Sequence, residues 1–267
     1  MNEEVRVADG MERFDTIETC DSSLARVRAG VKPFLSILTP TWNRKKFLAL
    51  MIHNIINFVY DKSKLEWFIM DDHPEFPLFK NEEEIKEIQN KIKPIKLKYV
   101  YDPKRHLTIG EKRNKLMKDC THKNFSFMDD DDIYMNQYLI YQQHMLKKNK
   151  AQICGSNAML FIFPNMEYQM SHLRCGSLRQ CHEATMASNK KYVRSMGGFA
   201  KSSQGEGSKL IDFNEKSCVN LDIQNCMICV GHDSNTISKD AWLKNKIDMK
   251  LPDSNEKLKI LKYIFDK

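Results

Sequence analysis

The chain has 267 residues, 42% of them hydrophobic and 29% charged, with a formal net charge of +7. That length supports a sizeable core in one large or two small units, and the composition is that of a folded globular protein rather than a disordered or fibrous one. No apolar window approaches the roughly 18 residues a membrane helix needs, and the Lys residues are spread along the chain instead of forming the basic, aromatic-rich face of a nucleic-acid binder.

Residues 1–32 are polar with scattered apolar positions and are expected to be an N-terminal extension. They lack the basic-then-apolar layout of a signal peptide, so a cytoplasmic protein with reduced cysteines is expected. Pro33 to Leu38 reads as a first strand that stops at TPTWNR, residues 39–44. Apolar residues at helical spacing then run from Lys45 to Tyr60. Leu65 to Met70 is a second strand ending at Asp71 and Asp72. Asn81 is placed to cap a helix that breaks at Pro94, and Ile95 to Tyr101 alternates like a third strand. Thr108, with Glu111 three residues on, predicts a capping box opening the helix IGEKRNKLMKDC. Asn124 to Met128 is a fourth strand, followed by a helix from Asn136 to Lys148. Strand alternating with helix predicts a parallel sheet covered on both faces.

The second half is less regular. Strands are expected over Ala151–Cys154, Ala158–Phe163 and Asn225–Val230, and a short helix from Asn189 to Met196 ends at Gly197-Gly198. Lys201 to Ser208 is a Gly/Ser-rich loop expected to close over a ligand, and Glu256 to Phe265 is a final amphipathic helix. His172, Cys175, Cys181 and His182 carry zinc-ligand chemistry but match no common zinc spacing, and Cys226-x-x-Cys229 reads as buried strand.

Asp129, Asp130, Asp131 and Asp132 follow the fourth strand without a spacer. Four adjacent carboxylates repel one another, so they need water or a neutralising cation. Mg²⁺ and Mn²⁺ take such oxygen ligands and leave positions open for phosphate. Thr39, Pro40, Thr41 and Asn43 after strand one, Asp72 after strand two, and Arg113 and Asn114 near the acidic run offer polar groups suited to a nucleotide. Singly, each is as well read as a turn, cap or surface charge. Together they fall at the C-terminal edge of one sheet, where open α/β sheets bind ligands.

The stretches PFLSILTPTWNR, WFIMDDHPE, GEKRNKLM and FSFMDDDDIY together resemble the N-terminal half of the inverting family 2 glycosyltransferases of the GT-A fold. The resemblance implies a three-layer α/β/α sandwich with a mostly parallel central sheet, spanning residues 33–240. Within it, 33–135 would form the nucleotide-binding half, 136–240 the acceptor half, and 241–267 a C-terminal helical segment. It implies that Thr39 and Asp72 hold a base, that Arg113 and Asn114 are the family's Arg-Asn pair, and that the D-x-D motif falls on Asp129-Asp130-Asp131. Asp131 would then contact Mn²⁺ or Mg²⁺, with Asp129 or Asp130 nearer the ribose. ATMASNKKYVRSMGGF resembles the segment before the catalytic carboxylate, which is usually one of an acidic pair. Here Gly205-Glu206-Gly207 leaves Glu206 as the expected general base, with Asp212 as fallback. His232 resembles a late His that reaches the metal or diphosphate.

The implied activity is transfer of a sugar from a nucleotide sugar, UDP-linked by resemblance, to a hydroxyl on a glycan, lipid-linked sugar or protein. A nucleotidyltransferase is the nearest rival, but it wants a Gly-rich loop after strand one, and TPTWNR has no Gly. A non-catalytic sugar-nucleotide-binding domain is the other, favoured by the missing acid beside Glu206.

Overall fold

The computed structural model describes residues 32–211, 215–236 and 238–266. The expected extension at 1–32 lies almost wholly outside these residues, as does Asp212. Two sheets organise the rest. The larger has seven strands: β1 Leu35–Thr41, β2 Leu65–Asp71, β3 Lys96–Tyr101, β4 Asn124–Phe127, β6 Ile153–Ser156, β9 His182–Asn189 and β10 Cys218–Asn220. Their order is β10-β6-β9-β4-β1-β2-β3. β3, β2, β1 and β4 are parallel neighbours, as are β10 and β6, while β9 runs antiparallel between β4 and β6. The smaller sheet, in the order β12-β8-β7-β11-β5, contains β5 Ile133–Tyr134, β7 Ala158–Phe163, β8 Gln169–Arg174, β11 Met227–Val230 and β12 Lys246–Ile247.

The strand sequences explain the layering. β2, LEWFIMD, is buried at every position, as a strand covered on both faces must be. Its alternate residues feed two cores. Trp67 and Ile69 join Leu35 and Ile37 of β1 against α1 (Leu48–Asn57) and α2 (Glu82–Ile92). Phe68 and Met70 join Leu38 and Phe127 against α3 (Ile109–Asp119) and α5 (Lys190–Ser195). Each such side chain contributes roughly 1.5–3 kcal/mol when fully buried. The result is the expected α/β/α sandwich. α4 (Tyr138–Lys148) packs with the first core, as does α6 (Glu256–Phe265), which begins and ends where its sequence predicts.

Helix starts follow local chemistry. Asn81 Oδ1 accepts from the Glu84 amide at 3.0 Å. Thr108 Oγ1 accepts from the Glu111 amide at 3.2 Å while Glu111 accepts from the Thr108 amide at 3.1 Å, completing the box. Five strands were not foreseen: β5, β8, β9, β10 and β12. β9, HEATMASN, carries small and polar residues with no alternation, because it is buried on both faces between β4 and β6. Among the described residues no helix is long and apolar enough to cross a membrane.

Candidate active site

The strand ends β1, β2 and β4 share one edge of the larger sheet, and the turn after β1 divides its side chains between two subsites. Asn43 takes a left-handed conformation (φ 52°), which Asn tolerates at single positions. Before it, Trp42 is 36% exposed and packs against His73 and His106, with ring centres 4.7 and 5.6 Å away. After it, Arg44 turns into the acidic run.

Behind Trp42 lies a buried ion pair. Asp72 is fully buried, accepts from the Leu107 amide at 2.8 Å and pairs with Lys112 of α3. Lys112 also donates to the Thr41 carbonyl at 3.0 Å and sits over the Trp42 ring. Thr41 is buried, its hydroxyl without a hydrogen-bond partner among the described residues, while Pro40 is partly exposed. Thr39 differs from expectation. Its hydroxyl accepts from the Trp67 indole at 3.0 Å and is fully buried, so it is committed inside the sheet.

Arg113, one residue beyond Lys112, points to the opposite side. Its guanidinium lies over the Phe127 ring, pairs through both terminal nitrogens with Asp129 (3.1 and 3.2 Å), and donates from Nε to Glu206 at 2.9 Å. Burial alone would lower its pKa, but the charges of Asp129 and Glu206 outweigh that and raise it, so it is a permanent cation. Asn114 does not join it. Its side chain exchanges hydrogen bonds with the Phe199 backbone at 2.8 Å in both directions, clamping the Gly198-Phe199 turn. That turn packs so closely that a Cβ on Gly198 would lie 2.6 Å from Asn114 Oδ1.

The four aspartates divide their tasks. Asp129 holds Arg113. Asp130 and Asp131 meet Arg44 Nε at 3.6 and 3.3 Å. Asp131 Oδ2 also lies 3.0 Å from His232 Nε2. Asp132 accepts from the Val230 amide at 2.9 Å and ties the run to β11. Their protonation follows these partners. Burial and the Asp131 charge push Asp130 up to about 8 and Asp132 well above the ordinary range. Burial also raises Asp131, but the hydrogen bond with His232 and the Arg44 charge hold it below the ordinary value. The run therefore survives burial because the chain supplies its own cations, Arg44 and Arg113, and leaves some carboxyls protonated. The sequence did not single out Arg44 for this.

A cavity of about 380 Å³ opens between these groups. Arg113, Asp129 and Asp131 line one side; Glu206, Glu183 of β9 and Lys239 line the rest. Glu183 and Lys239 were also missed in sequence. The loop carrying Glu206 is held, not free to flap. Gly110 donates to the Ser202 carbonyl at 2.8 Å, and Ala200 donates to the Glu206 carbonyl at 2.8 Å. The close approach requires glycine at 110, where a Cβ would fall 1.8 Å from the Ala200 oxygen.

The four Cys and His residues weighed for zinc do not converge. His172 is on β8, Cys181 is buried in the core between β6 and α5, and His182 lies against Cys229 at 4.0 Å. Among the described residues no group of three or more His, Cys, Asp or Glu is arranged to hold a metal by itself. Asp131 and His232 do form a two-donor oxygen and imidazole set of the kind Mn²⁺ accepts. Magnesium-type sites commonly use one or two carboxylates and complete their shell with phosphate and water, so the donors present fit a cation that arrives with a nucleotide.

Residues 36–200 match the glycosyl transferase family 2 profile. No curated protein matches the sequence. Among solved structures, the fold is similar to S. aureus TarS 1-349 in complex with UDP, with a TM-score of 0.57 and 14% identity. That likeness covers 73% of this chain and 60% of TarS 1-349. It is similar to the mannosyltransferase PcManGT from Pyrobaculum calidifontis in complex with GDP-Man and Mn²⁺, with a TM-score of 0.57, 14% identity, 79% of this chain and 60% of that one. TarS 1-349 in complex with UDP-GlcNAc gives 0.55 and 12%, over 86% and 65% of the two chains. This chain thus spans less than two thirds of each solved chain's length, and at such identities the likeness speaks for the fold. The profile match covers more than half of the sequence and decides membership: the chain belongs to glycosyl transferase family 2.

Proposed function

We propose that the protein transfers a sugar, with inversion, from a nucleotide-sugar donor to an acceptor hydroxyl, and that UDP is the nucleotide. The observation that carries this reading is the bridge made by Arg113. One cation spans Asp129 on the acidic edge and Glu206 on the facing loop, inside one cavity. The donor's diphosphate would lie along the acidic edge and its sugar in the cavity. The base would lie near Asp72 and Trp42, with Pro40, Thr41 and Asn43 shaping that end. The ribose would fall beside Asp129 or Asp130. UDP on TarS and GDP-Man with Mn²⁺ on PcManGT support a donor of this chemistry.

Asp131 and His232 would hold Mn²⁺ or Mg²⁺, which when bound supplies positive charge to the leaving diphosphate. The chain's own part is described by charge and position. Arg113 and Lys239 place fixed positive charge where the leaving group gains negative charge. The buried walls exclude water from the sugar. A carboxylate facing the acceptor takes its proton, and the cavity offers two: Glu206, expected from the sequence, and Glu183. One displacement needs no enzyme nucleophile. The acceptor hydroxyl would belong to a glycan, a lipid-linked sugar or a protein, and the setting would be cytoplasmic.

A thermal-shift panel of UDP- and GDP-sugars with and without Mn²⁺ tests the proposal. The correct donor raises the melting temperature by mass action and needs the metal to do so. A panel in which no nucleotide sugar shifts the transition with Mn²⁺ would overturn it. Binding without nucleotide release over many hours would point instead to a non-catalytic module.

A further inference from the structure

The two cavity carboxylates are not equivalent. Glu206 is 3% exposed and spends an oxygen on Arg113 Nε at 2.9 Å, within a buried cluster that also fixes Asp129. That oxygen is occupied by the guanidinium and is not offered to an acceptor in the cavity. Glu183, at the head of β9, is partly exposed, and its carboxylate borders the cavity. Its Oε1 accepts from the Gly207 amide at 3.1 Å, which holds the carboxyl beside the Glu206 loop without a cation on it. The space is specific to this arrangement. A Cβ on Gly207 would lie 2.9 Å from Glu183 Cγ, so Glu183 occupies the volume that a side chain at 207 would fill.

We propose that Glu183 is the general base of the transfer and that Glu206 is a positioning residue that orients Arg113. This rests on the transferase reading above. In the step, a lone pair of the acceptor oxygen forms the new bond to the anomeric carbon. The bond from that carbon to the diphosphate oxygen breaks, its electron pair leaving on the nucleoside diphosphate. The acceptor proton moves to Glu183 and is later released to water. The surroundings suit the task. Burial and the adjacent Glu206 charge, opposed by Arg113, push the Glu183 carboxyl up to about 7, where a base is most effective near neutral pH. Glu206 and Arg113 are the charged groups that shift it, Arg179 and Lys239 line the same cavity, and the Gly207 amide is its hydrogen-bond donor.

The test measures nucleotide release from UDP-N-acetylglucosamine, other UDP-sugars and GDP-mannose with Mn²⁺, using native protein and three variants. Glu183→Gln keeps an oxygen for the Gly207 amide. It should lower kcat by about 10²–10⁴-fold, leave donor affinity by calorimetry within about twofold, and abolish the rise in rate through neutral pH. Glu206→Gln should instead weaken donor binding and keep a rise in rate with pH, its midpoint moved to lower pH because the charge that raises Glu183 is gone. The double variant E183A/G207D moves the carboxylate to the neighbouring position, whose backbone (φ −89°, ψ −14°) accepts any residue. The Met186 end, 2.5 Å from such a Cβ, is flexible enough to give way. It should recover at least about tenfold over Glu183→Ala, a rescue a merely structural role would not show. Native turnover with Glu183→Gln within about twofold of native overturns the assignment alone, as does a loss of kcat accompanied by equal loss of donor affinity. A native protein that releases no nucleotide from any donor overturns the transferase reading and this assignment with it.

Discussion

Arg44 occupies the place where the acidic run most needs a cation, and removing it should expose that dependence. Its side chain is 11% exposed, those of Asp130 and Asp131 are 9% and 13%, and its Nε lies 3.6 and 3.3 Å from them. It also donates to the carbonyls of Trp42 and Ser234, tying the β1 turn to the β11 loop. Removing one member of a buried pair typically costs 3–5 kcal/mol. Here Asp131 keeps His232 and Asp130 can remain protonated, so Arg44→Ala should cost about 3 kcal/mol, or roughly 6–12 °C in Tm for a domain of this size. The same substitution clears a competitor from Asp131. Mn²⁺ should therefore bind the variant at least about tenfold more tightly, about 1.4 kcal/mol, and restore part of the lost stability. Calorimetric titration of Mn²⁺ into both proteins, alongside melting curves with and without the ion, measures both effects. A variant that melts within about a degree of native, or binds Mn²⁺ no better, would refute the view that Arg44 and the metal share these carboxylates.

Gly110→Ala puts a methyl group where the Ala200 carbonyl now lies, so the Glu206 loop must shift. The cost should be about 1–3 kcal/mol, with nucleotide release reduced well beyond what the loss of folded protein explains. Thr108→Ala removes the capping box of the helix that carries Lys112 and Arg113. Stability should drop by about 1 kcal/mol, read as a shifted denaturation midpoint, and an unchanged midpoint would show the cap to be idle. Stability should also depend on pH through Glu183. Its folded value, about 7, lies above the ordinary 4.5, so the native state keeps a proton the unfolded chain has released. The contribution is present in full below about pH 4.5 and lost as pH rises through about 7. Urea denaturation at pH 5 and pH 7.5 should show native protein losing more stability than Glu183→Gln, and equal losses would count against the raised value.

The parts of the fold that were legible are those where one local rule dominates. β1 and β2 announce themselves as apolar runs because both faces are covered, and Asn81 and Thr108 each sit where a helix start leaves backbone amides without partners. The edge position of Asp72, Arg113 and the acidic run followed from those strands. The roles within that edge did not follow. Arg44 meets Asp131 across 87 residues of chain, and nothing in TPTWNR distinguishes a turn arginine from a buried counter-ion. Thr39 and Asn114 have residue types that suit a ligand, but neighbours distant in sequence, Trp67 and Phe199, claim their polar groups first.

The largest gap is β9, and its cause bears on the chemistry. A strand inserted antiparallel between β4 and β6 is covered on both faces. Ala184, Thr185, Met186, Ala187 and Ser188 are all buried there, and none carries the β-branched alternation that marks a half-exposed strand. The same crowding that hides the strand from a periodicity reading also makes its first residues useful. Glu183 leaves a rigid, central strand just where the sheet ends, so its carboxylate is placed by the core and not by a loop. A proton acceptor placed this way does not need the loop at 205–207 to contribute a second acid. The glycine at 207 is then not a lost catalytic residue, because its missing side chain is what leaves Glu183 room to stand beside Glu206.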